Sequence, residues 1–248
     1  MDINHGGTLT VASPDATDLC LPWPNVAGVV FDLDGTLIDS EKAICAAASL
    51  AFDDVGVSVD EAAVADHLGA PLVELFDVFD TADLDDRSVR DARRAHFIAR
   101  YIAHYDLHPD KDPPPLPGVV EALHALRALN VPLAVATTKP TSMALQHLRA
   151  CGLVEVFGSI NGTQPPLLPK PAPDVVFAAC AGLGIDPRQA IMVGDTSRDV
   201  GAARAAGCHA VVVAYGMHRI QVARGLGADL VVTDLRQLLE ARGSVPRP

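Results

Sequence analysis

The sequence predicts an α/β fold, a Rossmann-like parallel sheet core with an inserted all-α cap domain. Three observations carry that expectation. From Gly118 onward, apolar runs of strand length alternate with amphipathic stretches of helix length, the rhythm of βαβ units feeding a parallel sheet. The first strand-like run, Val29-Val30-Phe31, is separated from that alternation by residues 40–112, which carry several stretches of helical periodicity and no strand-like run. Hydrophobic residues make up 49% of the chain and aromatic ones only 4%, so the core must be built from Ala, Val and Leu, which lets helices lie close on a sheet. At 248 residues the chain accommodates one large core or two unequal ones.

Residues 1–25 mix Gly, Thr, Ser, Asp and Pro without periodicity, and Pro22-Trp23-Pro24 interrupts regular structure, so this segment reads as a flexible N-terminal arm. Val29–Phe31 is a continuous apolar run, as expected of a strand buried on both faces, and it ends in Asp32-Leu33-Asp34-Gly35-Thr36. Ligands in open α/β sheets collect beyond the carboxyl ends of the strands, and Gly35 permits a turn that brings both acids to one point. Segments 26–39 and 113–248 are assigned to the core and 40–112 to the cap. Within the cap, Ile44, Ala47, Ala48, Ala51, Phe52 and Val55 recur at helical spacing. Further helices are expected near 60–68, 71–79 and 86–106, the last with Phe97, Tyr101 and Tyr105 as a packing stripe. His67-Leu68-Gly69-Ala70-Pro71-Leu72 breaks the pattern as a loop between helices, and Pro113-Pro114-Pro115 forms a stiff return connection. The crossings near 37–41 and 109–117 are candidate hinges. Beyond them, helices are expected at 119–129, 142–151, 173–183, 198–206 and 234–240, with strands at 131–136, 190–193, 209–214 and 230–232.

A formal net charge of −12 argues against nucleic acid or an anionic membrane as partner. Cys20, Cys45, Cys151, Cys180 and Cys208 lack paired-ligand spacing and read as small buried hydrophobes. No segment has the length and apolarity to cross a bilayer, and the start of the chain lacks a leader pattern, so a cytoplasmic location is expected. The sequence sets no oligomeric state.

Several predicted strands end in reactive residues: Asp32 and Asp34, then Thr137-Thr138-Lys139, then Asp195 and Asp199. Lys170 sits among prolines in Lys170-Pro171-Ala172-Pro173 ahead of a helix. In this order, Asp32-x-Asp34-Gly35-Thr36, Thr137, Lys170 and Asp195-x-x-x-Asp199 resemble the four motifs of the haloacid dehalogenase-like hydrolase superfamily. The helical insertion after the first motif resembles the cap of its phosphoglycolate phosphatase-like members. Leu116-Pro117-Gly118-Val119-Val120-Glu121-Ala122-Leu123 and Ala136-Thr137-Thr138-Lys139-Pro140 point to the same branch. Those relatives usually carry asparagine where Thr138 stands.

The chemistry fits this resemblance. A positioned carboxylate such as Asp32 can attack phosphorus in line, splitting one hard hydrolysis into formation and breakdown of an aspartyl-phosphate. Asp34 is expected to protonate the departing alkoxide and then deprotonate the attacking water. Two like charges ~4 Å apart repel by roughly 4 kcal/mol at an effective dielectric of ~20, so clustered aspartates need a divalent cation before they can admit a phosphate. Oxygen-only donors suit Mg²⁺. The resemblance implies the Asp32 side chain, the Asp34 carbonyl and Asp195 as ligands, with Asp199 behind them. It also implies that Lys170, Thr137 and Thr138 bind phosphate. The cap loop is expected to contact the leaving group through His67 and Gly69, and the remaining histidines, His147 among them, read as packing or surface residues.

The function expected is a Mg²⁺-dependent phosphatase for a small phosphorylated metabolite, phosphoglycolate being the compound the resemblance favours. A sugar phosphomutase shares the same core residues and stands as the alternative. From another class, a phospho-accepting receiver module also gathers aspartates, a threonine and a lysine on a parallel edge. Receivers, however, carry their phosphorylated aspartate after a middle strand and have no helical insertion after the first.

Overall fold

The computed structural model describes residues 25–82, 86–215 and 217–243. Apart from Asn25, the expected N-terminal arm lies outside the described residues. Six strands form one parallel sheet in the order β3-β2-β1-β4-β5-β6. They are β1 (Gly28–Phe31), β2 (Leu133–Thr137), β3 (Ser159–Gly162), β4 (Ala190–Gly194), β5 (His209–Val213) and β6 (Leu230–Val232). The chain order reverses between β1 and β4, and at such a switch point the flanking connections diverge and open a crevice at the carboxyl edge. Strand β3 went unanticipated: its sequence, Ser-Ile-Asn-Gly, lies at the sheet edge with only Gly162 fully buried, so it lacks the apolar run of a central strand.

Alternation along the strands sends larger side chains to one face and smaller ones to the other. Phe31, Leu133, Val135, Ile191 and Val193 pack with Leu123, Leu126, Leu148 and Leu238 from α5 (Val119–Ala128), α6 (Thr141–Ala150) and α10 (Gln237–Gly243). On the opposite face, Val30, Ala134, Ala136 and Met192 meet Val176, Ala179, Ala202 and Ala203 from α7 (Asp174–Leu183) and α8 (Ser197–Ala206). Alanines there let the helix backbones come close to the sheet. Helix α9 (Met217–Arg224) also went unanticipated; it adds Ala223 to this second face.

Residues between β1 and α5 form four helices, α1 (Glu41–Asp54), α2 (Glu61–Ala65), α3 (Leu72–Phe79) and α4 (Arg87–Leu107), around an apolar cluster of their own. Phe52 is its centre, with its ring 4.4 Å from that of Phe97 and 5.4 Å from that of Phe79. The expected stripe of Phe97, Tyr101 and Tyr105 is buried. This helical insert joins the sheet through a narrow neck. Leu116 N–H donates to the Leu37 carbonyl at 3.0 Å and Asp39 N–H to the Pro114 carbonyl at 2.9 Å, so the outgoing and returning chains are hydrogen-bonded to each other. No helix among the described residues is long and apolar enough to cross a membrane.

Candidate active site

The first acids follow directly from the fold of β1. Asp32 N–H donates to the Val193 carbonyl of β4 at 2.8 Å, extending the pairing by one residue and fixing Asp32 at the carboxyl edge. The chain then turns through Gly35, whose φ of +73° lies in the left-handed region. A Cβ there would collide with the Asp195 carboxylate, so glycine is needed both for the turn and for the close approach of the β1 and β4 loops.

Lys170, delivered by the loop between β3 and α7, is 1% exposed. Its Nζ lies 2.7 Å from Asp32 Oδ1 and 2.5 Å from Asp199 Oδ1. Burial pushes its pKa down, but the two carboxylates more than offset that and hold it above the ordinary lysine range. Asp199 is fully engaged, because its other oxygen accepts from the Thr196 N–H at 3.0 Å and hydroxyl at 2.6 Å. Asp32 is less fully engaged: its buried Oδ1 faces the Lys170 ammonium and no other donor. Burial raises the Asp32 pKa to about 7 against the pull of Lys170, with Asp199 and Asp34 adding to the rise. Asp195 is raised well above the ordinary carboxylate value by burial and by Asp199 and Asp32, although it accepts the Thr36 hydroxyl at 3.2 Å.

Asp32, Asp195 and Asp199 offer carboxylate oxygens that all lie within 4.8 Å of one another. The oxygen-only donor set, with Asp32 and Asp195 raised by burial and by neighbouring carboxylates, fits a hard divalent cation such as Mg²⁺.

Asp34 behaves differently. Burial pushes its pKa up, but the Lys139 ammonium at 2.8 Å from Oδ1 and the Ser40 hydroxyl at 2.6 Å outweigh it, and the net effect holds Asp34 below the ordinary value. Lys139 Nζ also sits 5.2 Å from the centre of the Tyr105 ring and 3.3 Å from His147 Nδ1, and Tyr105 stacks on His147 with ring centres 5.7 Å apart. His147 is accordingly pushed down to about 4, by burial first and by Lys139 second. It is a buried packing residue that also faces a cation. Tyr105 and Ser40 come from the insert and Asp34, Lys139 and His147 from the sheet domain, so the network crosses the boundary between them.

Thr137 ends β2, and its Oγ1 accepts the Lys139 N–H at 3.2 Å, leaving the hydroxyl proton free to donate. Thr138 Oγ1 is buried without a partner. Both line a cavity of about 300 Å³ that also reaches Asp32, Asp34 and Asp195. The loop bearing His67 and Gly69 forms part of its opposite wall. Gly69 adopts φ +84°, and a Cβ there would come within 3.2 Å of Thr196 Cγ2. His67 Nδ1 lies 3.0 Å from the Ala63 carbonyl, with its ring edge-on to Phe79.

Of the residues anticipated from sequence, Asp32, Asp34, His67, Gly69, Thr137, Thr138 and Asp195 line one cavity and Lys170 and Asp199 are buried behind Asp32, while Ser40, Lys139 and His147 were missed as participants. Lys139 carried a signal, since it directly follows Thr137-Thr138 at a strand end. His147 carried none. Arg198 was also missed: it joins Lys170 to the insert, donating to the Lys170 carbonyl at 3.1 Å and to Glu74 of α3 at 2.5 Å.

Comparison with known proteins matches residues 29–213 to the haloacid dehalogenase-like hydrolase family. The chain is 34% identical over 229 residues to a phosphoglycolate phosphatase from Chromobacterium violaceum, covering 87% of this chain and 96% of that one. It is 35% identical to a phosphoglycolate phosphatase from Rhodospirillum rubrum, covering 89% and 92%. A haloacid dehalogenase-like family hydrolase from Streptococcus pneumoniae superposes with a TM-score of 0.73 at 25% identity, covering 88% of this chain and 98% of that structure. The carboxylate cluster at the sheet edge, its buried lysine and these matches agree: the chain belongs to the haloacid dehalogenase-like hydrolases, in the phosphoglycolate phosphatase-like branch, and is a phosphoric monoester hydrolase.

Proposed function

We propose that this protein is a Mg²⁺-dependent phosphatase that hydrolyses a small phosphorylated metabolite through an aspartyl-phosphate on Asp32. The observation that carries the reading is the convergence of Asp32, Asp195 and Asp199 within 4.8 Å, with one Asp32 oxygen buried against the Lys170 ammonium. The Asp32 and Asp195 carboxylates and the Asp34 carbonyl would hold the ion, which when bound neutralises charge between the carboxylates and the phosphoryl oxygens. Asp199 holds Lys170, and Lys170 in turn orients Asp32 and neutralises a phosphoryl oxygen. Thr137 and Thr138 donate to the remaining phosphoryl oxygens.

Asp32 attacks phosphorus as the bond to the leaving oxygen breaks, and that oxygen takes its proton from Asp34. Asp34, now a carboxylate, removes a proton from water, which attacks phosphorus and frees inorganic phosphate and Asp32. The Lys139 and Ser40 contacts stabilise the base form of Asp34. Acting as the acid therefore requires Asp34 to take up a proton beside the Lys139 ammonium, which makes Lys139 a positioning residue.

Residues 40–112 serve as a cap over this chemistry, moving about the neck at Ile38 and Pro115, with His67 and Gly69 facing the leaving group. Phosphoglycolate, named for the curated relatives, is the reference substrate.

Asp32→Asn is expected to lower phosphate release by at least about 10³-fold with every substrate. Chelation of Mg²⁺ should silence the parent protein, and readdition should restore it. Undiminished turnover by the Asn variant overturns the mechanism.

A further inference from the structure

We propose that the leaving group of the substrate is uncharged and apolar, with the bulk of a benzyl or short branched alkyl group, and that the cap wall selects it. The proposal rests on the phosphatase reading and names its substrate class.

Size is the first argument. An apolar cavity of ~150 Å³ holds benzene, so the volume of about 300 Å³ over Asp32 takes a phosphoryl group together with a ring-sized substituent. A two-carbon acid leaves much of it unfilled. The second argument is the lining. Ile44 of α1, Leu68 and Leu72 at the start of α3, Ile98 and Ile102 of α4 and Met143 of α6 face the cavity. Ile102 remains 43% exposed at the rim, a large aliphatic group that gains from covering by an apolar partner.

The third argument is charge. Among the described residues lining the cavity, Lys139 is the only Lys or Arg, and it is paired with Asp34 at 2.8 Å. Lys170 is buried against Asp32 and Asp199, and Arg198 is held by Glu74 and the Lys170 carbonyl. His67 Nδ1 lies against the Ala63 carbonyl, so that nitrogen is turned to its own helix rather than to a substrate. A carboxylate on the leaving group would meet aliphatic side chains and, among the described lining residues, a single Lys or Arg already paired with Asp34. Burying a charge without a counterion is strongly unfavourable, whereas an apolar group loses nothing there.

Benzyl phosphate and 2-phosphoglycolate test this directly, since both release a primary alkoxide and differ in what that alkoxide carries. With the full chain and saturating Mg²⁺, kcat/KM for benzyl phosphate is expected to exceed that for phosphoglycolate by about tenfold or more, mostly through KM. Benzylphosphonate, whose P–C bond resists hydrolysis, should bind in a calorimetric titration. Ile102→Lys, at a half-exposed position, should shift the preference toward phosphoglycolate by about tenfold. Equal or greater kcat/KM for phosphoglycolate in the parent protein overturns the proposal. So does failure to bind benzylphosphonate by a protein that still hydrolyses p-nitrophenyl phosphate. Binding of benzylphosphonate with no phosphate released from any ester supports the pocket chemistry and overturns the hydrolytic reading instead.

Discussion

The two walls of the cavity are built on opposite principles. The sheet-edge floor is polar and interlocked: Asp32, Lys170, Asp199 and Thr196 form a chain of short contacts, and most of its members are buried. The cap wall is mostly aliphatic and partly exposed, and the Lys139–Asp34 pair of the floor lies against it. A wall of directed contacts fixes one reaction geometry, while a wall of dispersion contacts tolerates exchange of one side chain for another. The difference implies that substitutions on the floor act on every substrate, while those on the cap wall act on some.

The strongest way to break this contrast is Lys170→Met. It leaves the buried Asp32 and Asp199 facing each other without their cation, and removing one partner of a buried ion pair costs about 3–5 kcal/mol. Activity should fall with all substrates, and denaturation midpoints should drop in metal-free buffer. Added Mg²⁺ should recover part of the lost stability, because it restores positive charge beside Asp32. A variant as stable as the parent with and without metal would show that the floor is not interlocked.

Lys139→Met sharpens the contrast at the seam between the walls. Without the ammonium, burial dominates at Asp34 and its pKa rises. Hydrolysis of the aspartyl-phosphate needs Asp34 ionised, so its rate rises through that pKa. Capture of the phosphoryl group needs Asp34 protonated, so it falls through the same pKa. Both limbs should move to higher pH, with a loss near neutrality of roughly tenfold in the hydrolytic step. Profiles that do not move would disconnect Lys139 from Asp34.

The floor was legible in the sequence because its parts are local: two acids one residue apart at a strand end, a glycine beside them, and a lysine fixed among prolines. The partnerships among those parts were not. Lys139 and Asp34 stand 105 positions apart and meet only because β2 lies beside β1 in the sheet. On the cap wall, helical periodicity marked Ile44 as part of an apolar face, but periodicity does not say whether another helix or a ligand covers that face. Ile44 lines the cavity. Strand β3 escaped notice for a related reason, since an edge strand with one buried residue carries no burial pattern to read.

His147 offers a test through stability. Its folded pKa of about 4 lies below the unfolded value of ~6.5, so its contribution is complete above ~6.5 and is lost as pH falls toward 4, amounting to roughly 3 kcal/mol. Asp32, raised to about 7 in the metal-free protein, acts in the opposite direction over much of the same window. The informative quantity is therefore the difference between His147→Gln and the parent. The variant should lose the His147 part of the acid-side slope. Parallel stability curves would mean that His147 takes up its proton alike in the folded and unfolded chains.

The smallest effect is expected where the walls are joined by one exposed contact. Arg198 reaches Glu74 at 2.5 Å, with the Glu74 side chain 47% exposed, and the same guanidinium donates to the Lys170 carbonyl. Exposed ion pairs contribute about 0–1 kcal/mol and weaken with salt, so Glu74→Gln should leave global stability almost unchanged. It should instead loosen the seating of α3 on α8. KM is expected to rise by about twofold to threefold for substrates with bulky leaving groups, while kcat for p-nitrophenyl phosphate stays the same. Raising the salt concentration should bring the parent toward the variant. If kcat falls equally for all substrates, the Glu74 contact acts through Arg198 on the Lys170 loop, and the division between a rigid floor and an adjustable cap wall does not hold at that point.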